Sequence, residues 1–310
     1  QARAQALIAL CFWSPGRPSW AVEKLNELTR TLGDPWLRIQ ASIAAWLQEF
    51  AEGRYAEALD VALQAYALEA DISDPNVKGQ LREASTTLFT LCGRPDDTRR
   101  LIAEYDQASE RLSPHHRMHG VALALEFEEI TGDWEAIRAL IPRTRAAVAD
   151  NLATPCIRNS RSLLLCAAAC AAFGEDERSR ILEREAEALE TEGFEAILAA
   201  PRIRLALARG DLDRIGSLAV EPKIGRGTLW WYPGAVTSYL DALAALHDRE
   251  RVERAAPRFL ESRSALEAFA LRALGVVRDD PGLLEKAATL FSRLGFELQA
   301  ADTRSLSEAR

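Results

Sequence analysis

The sequence predicts an all-α chain, an α-solenoid superhelix of about eight helix-turn-helix pairs in series. A turn recurs in which Gly is followed by a polar residue and then an apolar helix. Apolar residues on both sides of this turn repeat with helical spacing, and the alternation typical of strands never persists. Because β-branched residues are also sparse, we expect no sheet.

The recurring turn marks the middle of each helix pair. Gly ends the first helix by accepting a left-handed backbone, and Asp or Pro then begins the second helix. Turns with glycine lie at Gly16, Gly53, Gly93, Gly132, Gly174 and Gly210, and weaker turns without it at His247-Asp248-Arg249 and Arg278-Asp279-Asp280-Pro281. Their spacing of about 40 residues leaves room for two helices per repeat.

We predict a single helical-repeat domain over residues 1–310, interrupted by a loop insertion at about residues 220–234. That stretch contains residues that exclude a continuous helix, namely Pro222, Gly225, Gly227, Pro233 and Gly234. A linker between two domains is the alternative. The abrupt helical start at Gln1 suggests a piece of a longer polypeptide.

The composition restricts where the protein is expected to reside and what it is expected to bind. The net charge of −8 argues against non-specific nucleic-acid binding, which depends on Lys and Arg. Five scattered cysteines in apolar surroundings are typical of reduced core thiols and predict a cytoplasmic protein. No apolar run reaches the length of a membrane span, so we expect no membrane association.

The segment Gly53-Arg54-Tyr55-Ala56-Glu57-Ala58-Leu59 resembles the middle of a tetratricopeptide repeat. It has the turn glycine, the aromatic residue two positions later and the small alanine where two helices cross closely. The sequence departs from the family at Trp46, where the family places a small residue, and its repeats exceed the usual 34 residues. These are degenerate tetratricopeptide-like pairs.

A second resemblance covers about the last 45 residues. The stretches 268–275, 280–287 and 291–296 are similar to the ends of large bacterial signalling proteins, in which a tetratricopeptide-like region follows an ATPase module. Those proteins also carry a class III adenylate or guanylate cyclase domain or a LuxR-type DNA-binding domain. The resemblance implies a sensor or scaffold arm that regulates an attached output domain, and it transfers no catalytic residue.

No enzyme, cofactor or metal is expected. The chain lacks a phosphate-binding loop ending in Gly-Lys-Ser/Thr, and Gly225-Arg226-Gly227-Thr228 has neither the lysine nor a preceding strand. His115 and His119 share a helix face, as a metal pair needs, but no third ligand lies nearby in sequence. We therefore interpret this pair as a solvated first turn. Cys166 and Cys170 are interpreted as core residues.

The first helix of each pair lines the concave surface of such solenoids, and here that helix carries arginine. The candidate groove residues are Arg38, Arg82, Arg117, Arg158, Arg161, Arg202 and Arg204, with Trp230 and Trp231 from the loop as aromatic contacts. An arginine-lined groove suits a protein or peptide partner, above all an acidic one. The alternative is that these arginines are ordinary surface charges paired with Glu.

We thus expect a non-catalytic interaction or sensor module of a larger bacterial signalling or transcription-regulating protein. The alternative is a solenoid that binds a small-molecule inducer in its concave groove. A long open channel lined by arginine favours the peptide partner, whereas an apolar pocket with few polar groups favours the small ligand.

Overall fold

A computed structural model describes residues 2–13, 19–154, 156–189, 195–222 and 232–308. Every regular element in these ranges is helical, and they contain no strand, so the predicted all-α class is confirmed. None of the helices formed by these residues is both long enough and apolar enough to cross a bilayer.

The described residues form 17 α-helices. The first eight are α1 (Ala2–Trp13), α2 (Ser19–Leu32), α3 (Pro35–Ala51), α4 (Tyr55–Tyr66), α5 (Pro75–Leu91), α6 (Pro95–Ser109), α7 (Pro114–Thr131) and α8 (Trp134–Asp150). The next nine are α9 (Ile157–Ala172), α10 (Asp176–Glu187), α11 (Glu195–Arg209), α12 (Leu212–Leu218), α13 (Gly234–Ala245), α14 (Arg249–Ala255), α15 (Ala265–Arg278), α16 (Pro281–Arg293) and α17 (Glu297–Glu308). Short 3₁₀ helices follow α4 at Glu69–Asp71 and α14 at Ala256–Phe259.

The predicted turns separate consecutive helices. The turn at Gly16 lies outside the described residues, but the other predicted glycine turns are left-handed at Gly53, Gly93, Gly132, Gly174 and Gly210. In the two turns without glycine, His247 and Asp279 take the same left-handed backbone, with φ of 52° and 56°. In four of the described pairs the second helix begins at a capping aspartate (Asp133, Asp211, Asp248 and Asp280), as where Asp133 accepts the backbone N–H of Ala136 at 2.8 Å.

Helices pack in chain order. Each contacts the next along the chain, apart from the helices that flank residues 190–194, and each odd-numbered helix from α1 to α13 also contacts the following odd-numbered helix. We call the odd-numbered helices the first helices, because each of those up to α15 opens a pair. They therefore form a continuous inner row, and the even-numbered helices pack on them.

The C-terminal helices of the inner row pack back on its middle. In addition to neighbour contacts, α13 and α17 contact α7, and α15 contacts α5. One hydrophobic cluster accordingly joins Leu88 and Leu91 of α5 to Leu294 and Phe296 near the other end of the chain. The turn between α5 and α6 lies against the turn between α16 and α17, where a methyl group on Gly93 would meet the Leu294 backbone Cα at 3.0 Å.

Substituting alanine for each of two glycines tests the contact between the turn at Gly93 and the turn at Leu294. Gly174 has φ of +72° with open space around it, whereas Gly93 has φ of +69° and abuts Leu294. Gly174→Ala should lower the free energy of unfolding by about 1 kcal/mol through the left-handed backbone alone. Gly93→Ala should cost about 1–3 kcal/mol more, because the added methyl overpacks the contact. Urea unfolding measures both, and equal losses would contradict the contact.

Candidate functional site

Charged side chains of the first helices meet one another inside the molecule. We call them the buried charge network, and it consists of Glu83, Glu126, Glu129, Arg158, Arg161, Arg204, Asp241 and Arg272. Four carboxylates face four guanidiniums, so the net charge of the network is zero. This balance explains how so many ionised groups are tolerated away from water.

The network begins between α5, α7 and α9. Arg158 Nη1 donates to Glu83 Oε1 at 2.5 Å, and its Nε lies 3.4 Å from Glu126 Oε1. Arg161, one turn further along α9, donates to the same Glu126 oxygen. Two arginines of α9 thus share one carboxylate of α7, and the second carboxylate, Glu83, comes from α5.

An aromatic residue joins the two halves of the network. The Arg161 guanidinium lies 4.3 Å from the centroid of the Tyr232 ring, in a cation–π contact. Tyr232 Oη donates to Glu129 Oε2 at 2.6 Å, and Glu129 Oε1 accepts from Arg204 Nε at 3.0 Å. Tyr232, just before α13, is therefore tied to α7 across 103 residues of chain.

The network ends at the C-terminal helices. Arg204 Nη1 donates to Asp241 Oδ2 at 2.6 Å, and Arg272 Nη2 donates to Asp241 Oδ1 at 2.8 Å. Arg272 Nη1 donates to Gln299 Oε1 at 2.6 Å, and Gln299 Nε2 donates to the Ile130 carbonyl at 3.1 Å. A chain of polar contacts thus runs from α5 to α17 and returns to α7.

Asp241 and Arg204, which form an ion pair within the network, are both ionised. Burial would raise the pKa of Asp241, but the guanidiniums of Arg272 and Arg204 outweigh it and lower the pKa below the ordinary value of aspartate. Burial would lower the pKa of Arg204, yet Asp241 and Glu129 raise it further above an already high value. Such charge-assisted hydrogen bonds are stronger than neutral ones.

A cleft opens where the network ends. It has a volume of about 420 Å³ and lies between α11, α13, α15 and α17, with Trp134 and Ala172 at its edge. Its polar wall consists of Arg204, Asp241, His247, Arg272, Gln299 and Asp302, and its apolar wall of Leu207, Ala208, Ala244, Ala245, Val276 and Leu306. Among the described residues, it is the place where arginines of the network reach a ligand-sized space.

The predicted groove arginines are not all brought together. Arg158, Arg161 and Arg204 belong to the buried charge network, where carboxylates already occupy them. Arg82 pairs at 2.6 Å with Glu69, in the 3₁₀ helix that follows α4.

The remaining predicted residues lie elsewhere. Arg117 donates to the Leu112 carbonyl, and Arg202 is half-buried in α11. Arg38 is exposed beside a separate cavity of about 690 Å³ near the N-terminus, which Arg30 also lines. Trp230 and Trp231 lie outside the described residues. Whether any of these residues binds a partner stays a prediction.

A second cluster lies where α7 and α9 begin, next to the middle of α5. Ring nitrogens of His115 and His119 and the Cys156 sulfur lie within 4.8 Å of one another. His119 Nε2 is 3.6 Å from Cys156 Sγ, and its Nδ1 is 3.1 Å from Glu83 Oε2. The expectation of a solvated histidine pair without a third ligand is thus wrong, because His119 is only 16% exposed and Cys156 faces it.

Neutral forms prevail in this cluster. Burial, with a further contribution from the Arg158 charge, lowers the pKa of His119 to about 4, so its ring is uncharged at pH 7. Burial also lowers the pKa of His115 and raises the pKa of the Cys156 thiol. A neutral imidazole keeps a lone pair free, which is the form that binds metals.

Sequence reasoning missed these partners because they come from different repeats. The separations are 35 residues for Glu126 and Arg161, 37 for His119 and Cys156, and 75 for Glu129 and Arg204. Each is close to one or two repeat lengths, since adjacent first helices place equivalent positions side by side. A search for opposite charges at the repeat spacing would have found them.

Removing one carboxylate tests the balance of charge in the network. Asp241→Asn leaves two buried guanidiniums short of a counter-charge and should lower the free energy of unfolding by about 3 kcal/mol or more at pH 7. The control is Glu185→Gln, which breaks the more exposed pair with Arg145 and should cost less than about 1 kcal/mol. Urea unfolding of both variants measures the difference.

The loss of stability caused by Asp241→Asn should depend on pH. Because folding lowers the pKa of Asp241, its contribution is complete above the unfolded pKa of about 3.9 and is lost as the pH falls through the folded value. The stability gap between the wild-type chain and Asp241→Asn should therefore narrow between pH 6 and pH 3. A gap that is unchanged over this range would contradict an ionised Asp241.

No protein-family model and no curated protein matches this sequence. The tetratricopeptide resemblance therefore stays a prediction. The cleft at the end of the buried charge network brings two of its arginines beside a space of about 420 Å³.

Proposed function

We propose that this chain is a non-catalytic sensor module, a tetratricopeptide-like solenoid within a larger signalling or transcription-regulating protein. Its signal is a small organic molecule that binds in the cleft between α11, α13, α15 and α17. The observation that carries this proposal is the position of Arg204 and Arg272, held rigidly by Asp241 at the edge of a space of ligand size.

The state of the arginines favours a small ligand over an acidic peptide. A peptide needs a long row of open guanidiniums, but Arg158, Arg161 and Arg204 already donate to carboxylates. Displacing a buried carboxylate to admit a peptide would leave an unpaired charge at a cost of several kcal/mol. The guanidinium groups of Arg204 and Arg272 at the cleft can donate hydrogen bonds to a further partner without breaking these pairs.

The chemistry of the cleft indicates the class of ligand. A guanidinium has five N–H groups, of which Arg272 donates two within the protein and Arg204 three. The others suit an acceptor such as a carboxylate or carbonyl oxygen. The apolar lining residues Leu207, Ala208 and Val276 lie one helical turn from these arginines and suit an aliphatic or aromatic body.

Ligand binding at this cleft would act on the contacts between α17 and α7. The lining residue Gln299 links Arg272 on α15 to the Ile130 carbonyl on α7, so it bridges the cleft and the middle of the chain. A ligand that binds one arrangement of α17 more tightly than another would shift the balance between them. An attached output domain would respond to that shift.

A blocking variant tests the proposal. Ala245 lines the cleft at the end of α13, and Ala245→Trp should fill the space without removing a polar contact. Ala146→Trp, at an exposed position of α8, is the matched control. Thermal unfolding should be measured for each chain with aliphatic and aromatic carboxylic acids, the corresponding amides, and acidic peptides.

Carboxylic acids that bind should stabilise the wild-type chain and Ala146→Trp, by about 2.7 kcal/mol at 100 times the dissociation constant, and leave Ala245→Trp unchanged. The small-ligand proposal fails if only the peptides stabilise the chain, or if Ala245→Trp responds as the wild type does.

A further inference from the structure

We propose that His115, His119 and Cys156 bind one transition-metal ion of the zinc class, with Glu83 holding His119 in position. The site is separate from the cleft and does not depend on the proposed sensor function. It joins the N-terminal ends of α7 and α9, and its supporting carboxylate comes from α5.

The geometry of two ligands already fits zinc. Zinc bonds of about 2.0–2.1 Å to nitrogen and 2.3 Å to sulfur, at tetrahedral angles, place the two ligand atoms about 3.5 Å apart. His119 Nε2 and Cys156 Sγ are 3.6 Å apart. The same distance also suits a hydrogen bond from the thiol to the imidazole. The assignment as a metal site therefore depends on the third ligand, His115, and on the supporting residue, Glu83.

His115 supplies the third ligand. Its ring lies 4.3 Å from the His119 ring, one helical turn away on the same face of α7. Its Nδ1 is buried and has no hydrogen-bond partner, which costs free energy unless the atom has a ligand to bind. Because the three ligand atoms already lie within 4.8 Å of one another, a small rotation of one side chain brings them around one ion.

Glu83 has the role that a carboxylate plays beside many metal-bound histidines. Its Oε2 lies 3.1 Å from His119 Nδ1, so that nitrogen carries the proton and Nε2 points its lone pair toward Cys156. The other oxygen of Glu83 accepts from Arg158, which also lies near Glu126. The positive charge of Arg158, which would oppose a cation, is therefore compensated by two carboxylates.

Ligand type indicates the metal. Two imidazoles and one thiolate suit zinc, cobalt or copper, and do not suit magnesium or calcium, which prefer oxygen. Binding converts the Cys156 thiol to a thiolate, and the proton is released to solvent. Three protein ligands leave a fourth position for water or another small ligand.

Cobalt(II) chloride, titrated into the reduced full chain without oxygen, tests the site. One equivalent should produce a thiolate-to-cobalt charge-transfer band and the visible bands of tetrahedral cobalt, and zinc should remove both. Cys156→Ser should lose the charge-transfer band, and His115→Ala should lose the tetrahedral spectrum. The matched controls are Cys92→Ser and His116→Ala, whose side chains contact the Tyr55 carbonyl and Ser113 instead. Both controls should bind cobalt as the wild type does.

Two further measurements complete the test, and the first does not depend on how any variant folds. X-ray absorption of the zinc-loaded wild-type chain should give one sulfur and two imidazole nitrogens. Glu83→Gln should keep the cobalt spectrum and weaken the affinity about 10–100-fold. A wild-type chain that binds no cobalt at a stoichiometric amount, a shell of oxygen alone, or a charge-transfer band that persists in Cys156→Ser would overturn the proposal.

Discussion

Eight charged side chains lie between the first helices, and each depends on an opposite charge there because a buried ion without a partner costs several kcal/mol. A folded chain has only about 5–15 kcal/mol of stability, so one unpaired member is a large fraction of the total. The remaining geometry follows from this requirement. Glu129 accepts from Arg204 and from Tyr232, which lies just before α13, and Asp241 accepts from Arg204 on α11 and Arg272 on α15.

The requirement connects the fold to its candidate sites. At one end of the network, Glu83 serves both Arg158 and His119, so the balance of charge also positions the proposed metal ligands. At the other end, Asp241 holds two arginines at the edge of the cleft. Because the same side chains are needed for folding and for binding, ligands at either end would act on the packing of the first helices.

Local elements were predictable from the sequence, and long-range placement was not. Gly53 and Gly93 mark turns because only a residue that tolerates a left-handed backbone fits there, and Asp133 caps the following helix through its own side chain. The return of α17 to α7 is set by packing between helices far apart in the chain, which no local pattern encodes. The pairing of Cys156 with His119 follows from that same packing.

Charges on distant first helices neutralise one another, and a double-mutant cycle on Glu129 and Arg204 measures this coupling. The two residues are 75 positions apart and 3.0 Å from donor to acceptor. Glu129→Gln, Arg204→Met and the double variant should be compared by urea unfolding at pH 7. We predict a coupling energy of about 1–3 kcal/mol, with the double variant more stable than the sum of the single losses implies. If the stability losses of the two single variants add to that of the double variant within about 0.5 kcal/mol, the two charges are not coupled.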